Sequence, residues 1–497
     1  MTTLSLASVL AESARRYPGK IAVIEGAARY TYFQMWESAR EFTASLKERG
    51  VGPGDRIALL CPNVAEFVPA YYGILAAGGV VVPIPTLLQS HEIAHLVHDS
   101  GATLLICHGS FADIGAEVSE TCGVHLISTN SGPSLSPVST FEARNAEDPA
   151  VLFYTSGTTG KPKGAVLTHL NLVMNAMVNA FDANDLTHDS VVLGCLPLFH
   201  TFGQTVAMNS TFRVGGTLVL QPRFDPDAAL ELIAADNVTH FFGVPTMFIH
   251  LVGAADRAGS APRLRSAVSG GAALPQSVLE DFEKRFRTVI YEGYGLSETS
   301  PTIAVNQLVF GTKAGTVGHP VWGVEVEIAD PELADTIELL PAEAIGEIVV
   351  RGHAVFSGYH NEPEATRESM VDGWFRTGDI GFKDRSGFIT IADRKKDLII
   401  RNGFNVYPRE VEDVLLRHPA IAQVAVIGIP NELVGEEIYA IVVESVEGSV
   451  DPDEILEWSR SELAGHKYPR HIKLVDQLPL GPSHKVLKRE LRKQFTH

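Results

Sequence analysis

Apolar and polar positions change their rhythm once along this chain, near Gly346. Before it, short apolar runs recur between helical patterns. "RIALLCP" (Arg56–Pro62), "VVVPI" (Val80–Ile84) and "TLLICH" (Thr103–His108) are apolar at consecutive positions, the pattern of strands buried on both faces. Between the last two, "HEIAHLVHDSG" has helical spacing, and "VVLGCLPL", "TLVLQP", "HFFGVP" and "SAVSGG" continue the strand series. This βαβ alternation predicts mostly parallel sheets covered by helices. After Gly346, "EIVVRG", "GWFRTGD" and "GFITIAD" read as antiparallel strands with tight turns. Beyond "DRKKDLIIRNGFNVYP" comes a new unit: helix "PREVEDVLLRHP", strands "IAQVAVIGIP" and "IYAIVVES", helix "PDEILEWSRSELA". The expected fold class is α/β. A large N-terminal domain, residues 1–394, has parallel-rich sheets flanked by helices plus a small β-barrel-like part. A small α+β C-terminal domain, residues 395–497, follows it.

Composition narrows the function classes. The 497 residues carry a formal net charge of -19, nearly all of it before Lys395. That disfavours non-specific nucleic-acid binding, which rests on Lys and Arg at phosphates. Cys61, Cys107, Cys122 and Cys195 are far apart and form no C-x-x-C pair, which reads as a reduced, intracellular protein without a disulfide framework or zinc site. The N-terminus lacks the basic region of a signal peptide, and the longest apolar run is too short to span a bilayer.

Two motifs carry candidate chemistry. "HEIAH" (His91–His95) matches the H-E-x-x-H zinc helix, but the chain turns straight into a strand afterwards, and a surface helix of the sheet layer is the better reading. "YTSGTTGKPKG" (Tyr154–Gly164) is not a Walker loop: Gly157 and Gly160 are three apart, and Lys161 is followed by Pro162 instead of a hydroxyl residue. Clamped between "AVLFY" and "AVLTHLNL", its exposed backbone amides and the hydroxyls of Thr155, Ser156, Thr158 and Thr159 suit a phosphate nest.

Further motifs follow in order: "LPLFHTFG" (Leu196–Gly203), "SGGAAL" (Ser269–Leu274), "GYGLSETSP" (Gly293–Pro301), "WFRTGD" (Trp374–Asp379), "DRKKDLIIRNGFNVYPREVE" (Asp393–Glu412) and "HKVLKREL" (His484–Leu491). With the glycine loop, they resemble the adenylate-forming superfamily of acyl-CoA synthetases, luciferases and peptide-synthetase adenylation domains. The texture is most similar to bacterial fatty acyl-CoA ligases. The resemblance implies that Thr155 to Gly160 (Thr155, Ser156, Gly157, Thr158, Thr159, Gly160) and Lys163 hold the ATP phosphates. Gly271, Ala272 and Gly295 fall among the nucleotide-binding positions, with Tyr294 stacked on adenine and Ser297 at the α-phosphate. Glu298 would hold Mg²⁺, and Asp379 with Arg394 the ribose. His200 would gate the substrate carboxylate, Lys396 would mark the hinge, and Lys485 would act catalytically, with Lys488 a decoy. The loop at Gly403 would admit pantetheine. His484 stands where the family has Gly, and Asn402 where relatives often have a second small residue.

The reaction so implied has two halves. A fatty carboxylate attacks the α-phosphate of ATP, releasing pyrophosphate and leaving acyl-AMP; the CoA thiol then displaces AMP. The C-terminal domain would rotate between them. "LFHTFG" lacks the Asp that amino-acid-activating relatives use for an ammonium group, so an uncharged tail is favoured. Alternatives are an aryl carboxylate, a carrier-protein phosphopantetheine as acceptor, a luciferase-like oxygenase, or a non-catalytic relative. Expected partners are the carboxylic acid, ATP and CoA, with a peripheral membrane contact or an acyl carrier protein as further options. The expected location is the cytoplasm.

Overall fold

The consecutive apolar runs become the inner strands of two large sheets. The structure, a computed structural model, describes residues 3–129, 136–156, 162–431, 433–446, 448, 451–481 and 486–495. By packing, the chain forms two compact units: Met1–Val326 with Val350–Phe375, and Glu327–Val349 with Arg376–His497.

In the first unit, a nine-stranded sheet has a parallel centre of Ile21–Glu25, Thr217–Leu220, Val191–Gly194, His240–Gly243, Ser266–Gly270 and Ile290–Gly295. Antiparallel strands close both edges. The four residues of Thr217–Leu220 and of His240–Gly243 are all buried, which is why those segments read as unbroken apolar runs. Phe241, on one of these strands, packs in series with Phe248, Phe282 and Phe286, with ring centroids 4.2 to 5.0 Å apart along the chain of contacts. The second sheet is seven-stranded, with Val80–Pro83, Arg56–Leu60, Leu104–Cys107 and His125–Ser128 parallel, the last of them at one edge. At its other end lies the hairpin of Pro149–Ser156 and Pro162–Thr168, edged by the short strand Gly358–Tyr359. The Tyr32–Glu48 helix starts at a capping box, Thr31 with Gln34. It crosses the Phe67–Ala76 helix at Gly73, where an added Cβ would stand 2.8 Å from Phe42 Cβ.

In the second unit, strand Ile421–Asn431 alternates as the period of two requires. Val426 faces a core with Ile399, Val411, Leu415 and Ile455, while Ala425 and Ile427 face another with Ile441, Leu478 and Leu491. Both faces of its five-stranded sheet are thus covered, the second by the Lys488–Phe495 helix. Packing also groups Glu327–Val349 with this unit. The four cysteines are free. Among the described residues, no helix is long and apolar enough to cross a membrane.

Candidate active site

The glycine loop grows from an antiparallel hairpin whose register pairs Tyr154 with Gly164 and Thr155 with Lys163. Gly157, Thr158, Thr159 and Gly160 lie outside the described residues, as does the side chain of Ser156. The base of the hairpin is anchored. The Tyr154 hydroxyl donates to Asp99 Oδ2 at 2.6 Å, and Asp99 closes the Ser90–Ser100 helix. Burial first, and the hydrogen bond to Asp99 second, push the Tyr154 hydroxyl far up, so it remains a donor. On the other strand, the His360 amide donates to the Gly164 carbonyl at 2.7 Å.

That Ser90–Ser100 helix is the one carrying "HEIAH". His91, Glu92 and His95 stand on its exposed side, while Ile93, Leu96 and Val97 pack inward. Glu92 serves its own helix, because its carboxylate accepts from the Gln89 amide at 2.8 Å and closes a capping box.

"GYGLSETSP" leaves the sheet at Gly295 and folds back on itself. A Cβ at Gly295 would stand 1.7 Å from the Pro301 carbonyl oxygen, so only glycine fits. Tyr294 is buried on the strand opposite Ala304. Ser297 opens the following short turn and is half-buried. Glu298 is only 8% exposed. Its Oε1 accepts from the Tyr359 hydroxyl at 3.0 Å and, more weakly, from Thr155 Oγ1 at 3.4 Å. The Lys163 ammonium lies 5.3 Å from the centre of the Tyr359 ring. The structure thus gathers Thr155, Lys163 and Glu298 around Tyr359, a residue the motifs did not flag.

Among the described residues, no three His, Cys, Asp or Glu side chains form a metal cage. Mg²⁺ does not need one; it keeps waters and takes one or two carboxylates plus substrate phosphates. A buried carboxylate with hydroxyls on one oxygen fits that demand. When bound, the ion would neutralise phosphate charge.

His200 follows the strand Val191–Gly194 and is half-buried. Its Nδ1 accepts from the Phe202 amide at 3.3 Å, which in the neutral ring assigns the proton to Nε2. Phe202 opens a π-helix that runs to Asn209. Gly271 and Ala272 lie exposed just past the carboxyl end of Ser266–Gly270.

In the second unit, Asp379 and Arg394 face each other across an antiparallel pair, with Arg394 Nε 3.3 Å from Asp379 Oδ1. Asp379 is 4% exposed, and the strand that carries it, Trp374–Lys383, is tied down by a buried ion pair, Arg376 with Glu347 at 2.6 Å. Glu347 also accepts from the Gly378 amide at 3.1 Å. Lys396 lies at the surface; loss of solvent around its ammonium first, then the nearby Arg394 charge, lowers its pKa. Asn402 (φ 52°) and Gly403 (φ 77°) form the two-residue turn between Ile399–Arg401 and Phe404–Val406. Two left-handed residues in an Asn-Gly hairpin make a type I′ turn. A Cβ at Gly403 meets nothing within 4 Å. Lys485 lies outside the described residues. Its neighbour Lys488 is committed elsewhere, its Nζ 2.7 Å from Glu412 Oε1, with both side chains largely buried. Burial would lower the Lys488 pKa, but Glu412 and Asp393 outweigh it and hold it up.

Residues 10–360 match the model of the AMP-binding enzyme family, and 410–485 match that of the AMP-binding enzyme C-terminal domain. The chain is 34% identical to a long-chain-fatty-acid–CoA ligase of Bacillus subtilis, over 99% of this chain and 95% of that one. It is 36% identical to a feruloyl-CoA synthase of an Amycolatopsis species, over the whole of both. The crystal structure of ATP-bound MatB from Rhodopseudomonas palustris superposes with a TM-score of 0.90 at 32% identity, over 99% of each chain.

Proposed function

Since the chain belongs to the AMP-binding enzyme family and is an adenylate-forming acyl-CoA ligase, we propose that its acid is a fatty acid and that the motif residues divide the work between ATP and acyl group. Supporting the acid class are two segments, the one that follows His200 and the one that begins with the strand His240–Gly243. Residues 201–209 are uncharged and almost all buried, as are 240–248. A charged tail would be costly there. An aryl acid is the second reading. Phe202, two residues on from His200, favours it: its ring packs against Gly270, where an added Cβ would stand 3.1 Å away, and offers an aromatic face. The feruloyl-CoA relative points the same way.

Neither half-reaction requires a protein nucleophile. The carboxylate oxygen bonds to the α-phosphorus as the bond to pyrophosphate breaks; the thiol sulfur then bonds to the acyl carbon as AMP leaves. Positioning and charge stabilisation supply the rate. The Nε2–H of His200 would orient the acid's carboxylate. Thr155, Lys163, Ser297 and Glu298 would serve the phosphates and Mg²⁺, Tyr294 with Gly271, Ala272 and Gly295 the adenosine, and Asp379 with Arg394 the ribose. Lys485 would stabilise charge on the α-phosphate, and Gly403 would lie on the pantetheine route. We place the enzyme in the cytoplasm, where its free thiols stay reduced.

Pyrophosphate release across a panel of alkyl and aryl acids tests the substrate class. Long alkyl acids should lead; a lead by aromatic acids would support the second reading. Lys485→Ala should slow adenylation by roughly 3–4 kcal/mol while largely sparing thioester formation from supplied acyl-AMP. Equal loss of both halves would remove that assignment.

A further inference from the structure

One short segment holds Glu298, the residue assigned to the metal, both at its backbone and at its carboxylate. The Phe356 amide donates to the Glu298 carbonyl at 2.9 Å, and three residues on the Tyr359 hydroxyl donates to the Glu298 side chain at 3.0 Å. Tyr359 itself has little freedom. Its two-residue strand pairs Gly358 with Val166 and Tyr359 with Ala165, on the returning strand of the glycine-loop hairpin. Its amide donates to Thr366 Oγ1 at 2.8 Å. Its ring meets Phe356 edge-on at 4.8 Å and faces the Lys163 ammonium on the same hairpin.

We infer that Tyr359 is a positioning residue: its hydroxyl holds Glu298 Oε1 and so orients the carboxylate for a hard cation before nucleotide and metal arrive. The inference rests on Glu298 being the Mg²⁺ ligand. Both partners of the Glu298 side chain among the described residues are neutral hydroxyls, and both bond Oε1. No ion pair engages Glu298 among the described residues. Neutral donors fix the direction of a carboxylate without cancelling its charge, whereas a guanidinium would do both. The Thr155 hydroxyl, at 3.4 Å, is too distant to hold the group alone. Without the tyrosine hydroxyl, Glu298 would have to be ordered by the metal itself, and that ordering weakens binding.

Tyr359→Phe removes the hydroxyl and keeps the ring against Lys163. The probe is Mn²⁺, read by electron paramagnetic resonance on the full-length protein with the non-hydrolysable analogue α,β-methylene ATP. The variant should bind Mn²⁺ in that complex about tenfold more weakly, as loss of a charge-assisted hydrogen bond predicts. Binding of metal-free analogue in chelator should change less than twofold. In a Glu298→Gln background, Tyr359→Phe should add nothing further. Unchanged Mn²⁺ affinity overturns the inference, as does an equal loss in both backgrounds, which would mark a general packing defect. A wild-type chain that binds the analogue but gains no Mn²⁺ affinity from Glu298 would refute the metal-ligand reading, and the inference with it. The double-mutant comparison separates that outcome from failure of Tyr359 alone.

Discussion

Each unit buries one carboxylate that the proposed function assigns to ATP, and the two are held in opposite ways. Glu298, in the large unit, is bonded by two hydroxyls. Asp379, in the small unit, faces the Arg394 guanidinium, on a strand tied down by the Arg376–Glu347 pair. Hydroxyls leave a carboxylate's charge available to a cation. A guanidinium offsets that charge and leaves the oxygens as oriented acceptors, as sugar hydroxyls require. On the proposed function, the environments, more than the residue types, separate the metal ligand from the ribose ligand.

The largest expected effect breaks the second environment. Arg376→Met would strip buried Glu347 of its closest cation, leaving the Gly378 amide and, at 3.6 Å, the more exposed Lys395 ammonium as support. The cost should be about 3–5 kcal/mol in unfolding free energy, measured by denaturant titration, with ATP affinity falling through Asp379. A stability change under about 1 kcal/mol would show that the pair does not hold the strand.

Smaller is the effect of cutting the hairpin's anchor. Tyr154→Phe leaves Asp99 without the hydroxyl and should cost roughly 1.5–3 kcal/mol. If the anchor serves the phosphate loop, the Michaelis constant for ATP should rise while that for the acid stays unchanged. A parallel rise in both would reduce Tyr154 to a stability role.

Acid should weaken the large unit through two buried histidines. Burial first, then Arg144, lowers His169 to about 4; burial, then Arg265, lowers His240 to about 4, both from 6.5. A base with a depressed folded pKa binds fewer protons folded than unfolded between those values. Its stabilising contribution is therefore complete above about pH 6.5 and is lost as pH falls toward 4. Melting temperatures should drop steadily over that window. A flat profile in the wild type, or the same drop with His240→Phe as without it, would contradict this.

The smallest effect concerns Gly403. Its positive φ is explained by the Asn-Gly turn alone, without any tunnel. Gly403→Asn, which tolerates that conformation, should keep the fold. If the loop lines the pantetheine route, thioester formation should slow several-fold while pyrophosphate release stays normal. Normal rates for both would leave the glycine a turn residue.

Much of this arrangement is legible in sequence because its strongest signals are local. The buried strands are runs of apolar residues, and Glu298 and Asp379 sit in contiguous motifs. Asn402-Gly403 is a hairpin signal in its own right, though the family resemblance points to pantetheine instead. What escapes a linear reading is non-local. Tyr359 lies far along the chain from Glu298, in a two-residue strand that becomes meaningful only once it pairs with Ala165–Val166. Asp99 is hidden beneath a zinc-like pattern whose histidines face outward, and its partner Tyr154 is reached only in the fold. Lys488 is the neighbour that the resemblance passes over for Lys485; its pairing with Glu412 shows what occupies it. The grouping of Glu327–Val349 with the later part of the chain is discontinuous, so no linear change in texture announces it.

The most direct test of the division between the two carboxylates is a magnesium titration of ATP–pyrophosphate exchange with Glu298→Gln and Asp379→Asn side by side. Glu298→Gln should lower the exchange rate by about 3 kcal/mol and raise the Mg²⁺ concentration for half-maximal rate. Asp379→Asn should raise the Michaelis constant for ATP roughly tenfold and leave the Mg²⁺ midpoint unchanged. Equal shifts of the Mg²⁺ midpoint in both variants, or none in Glu298→Gln, would contradict the account.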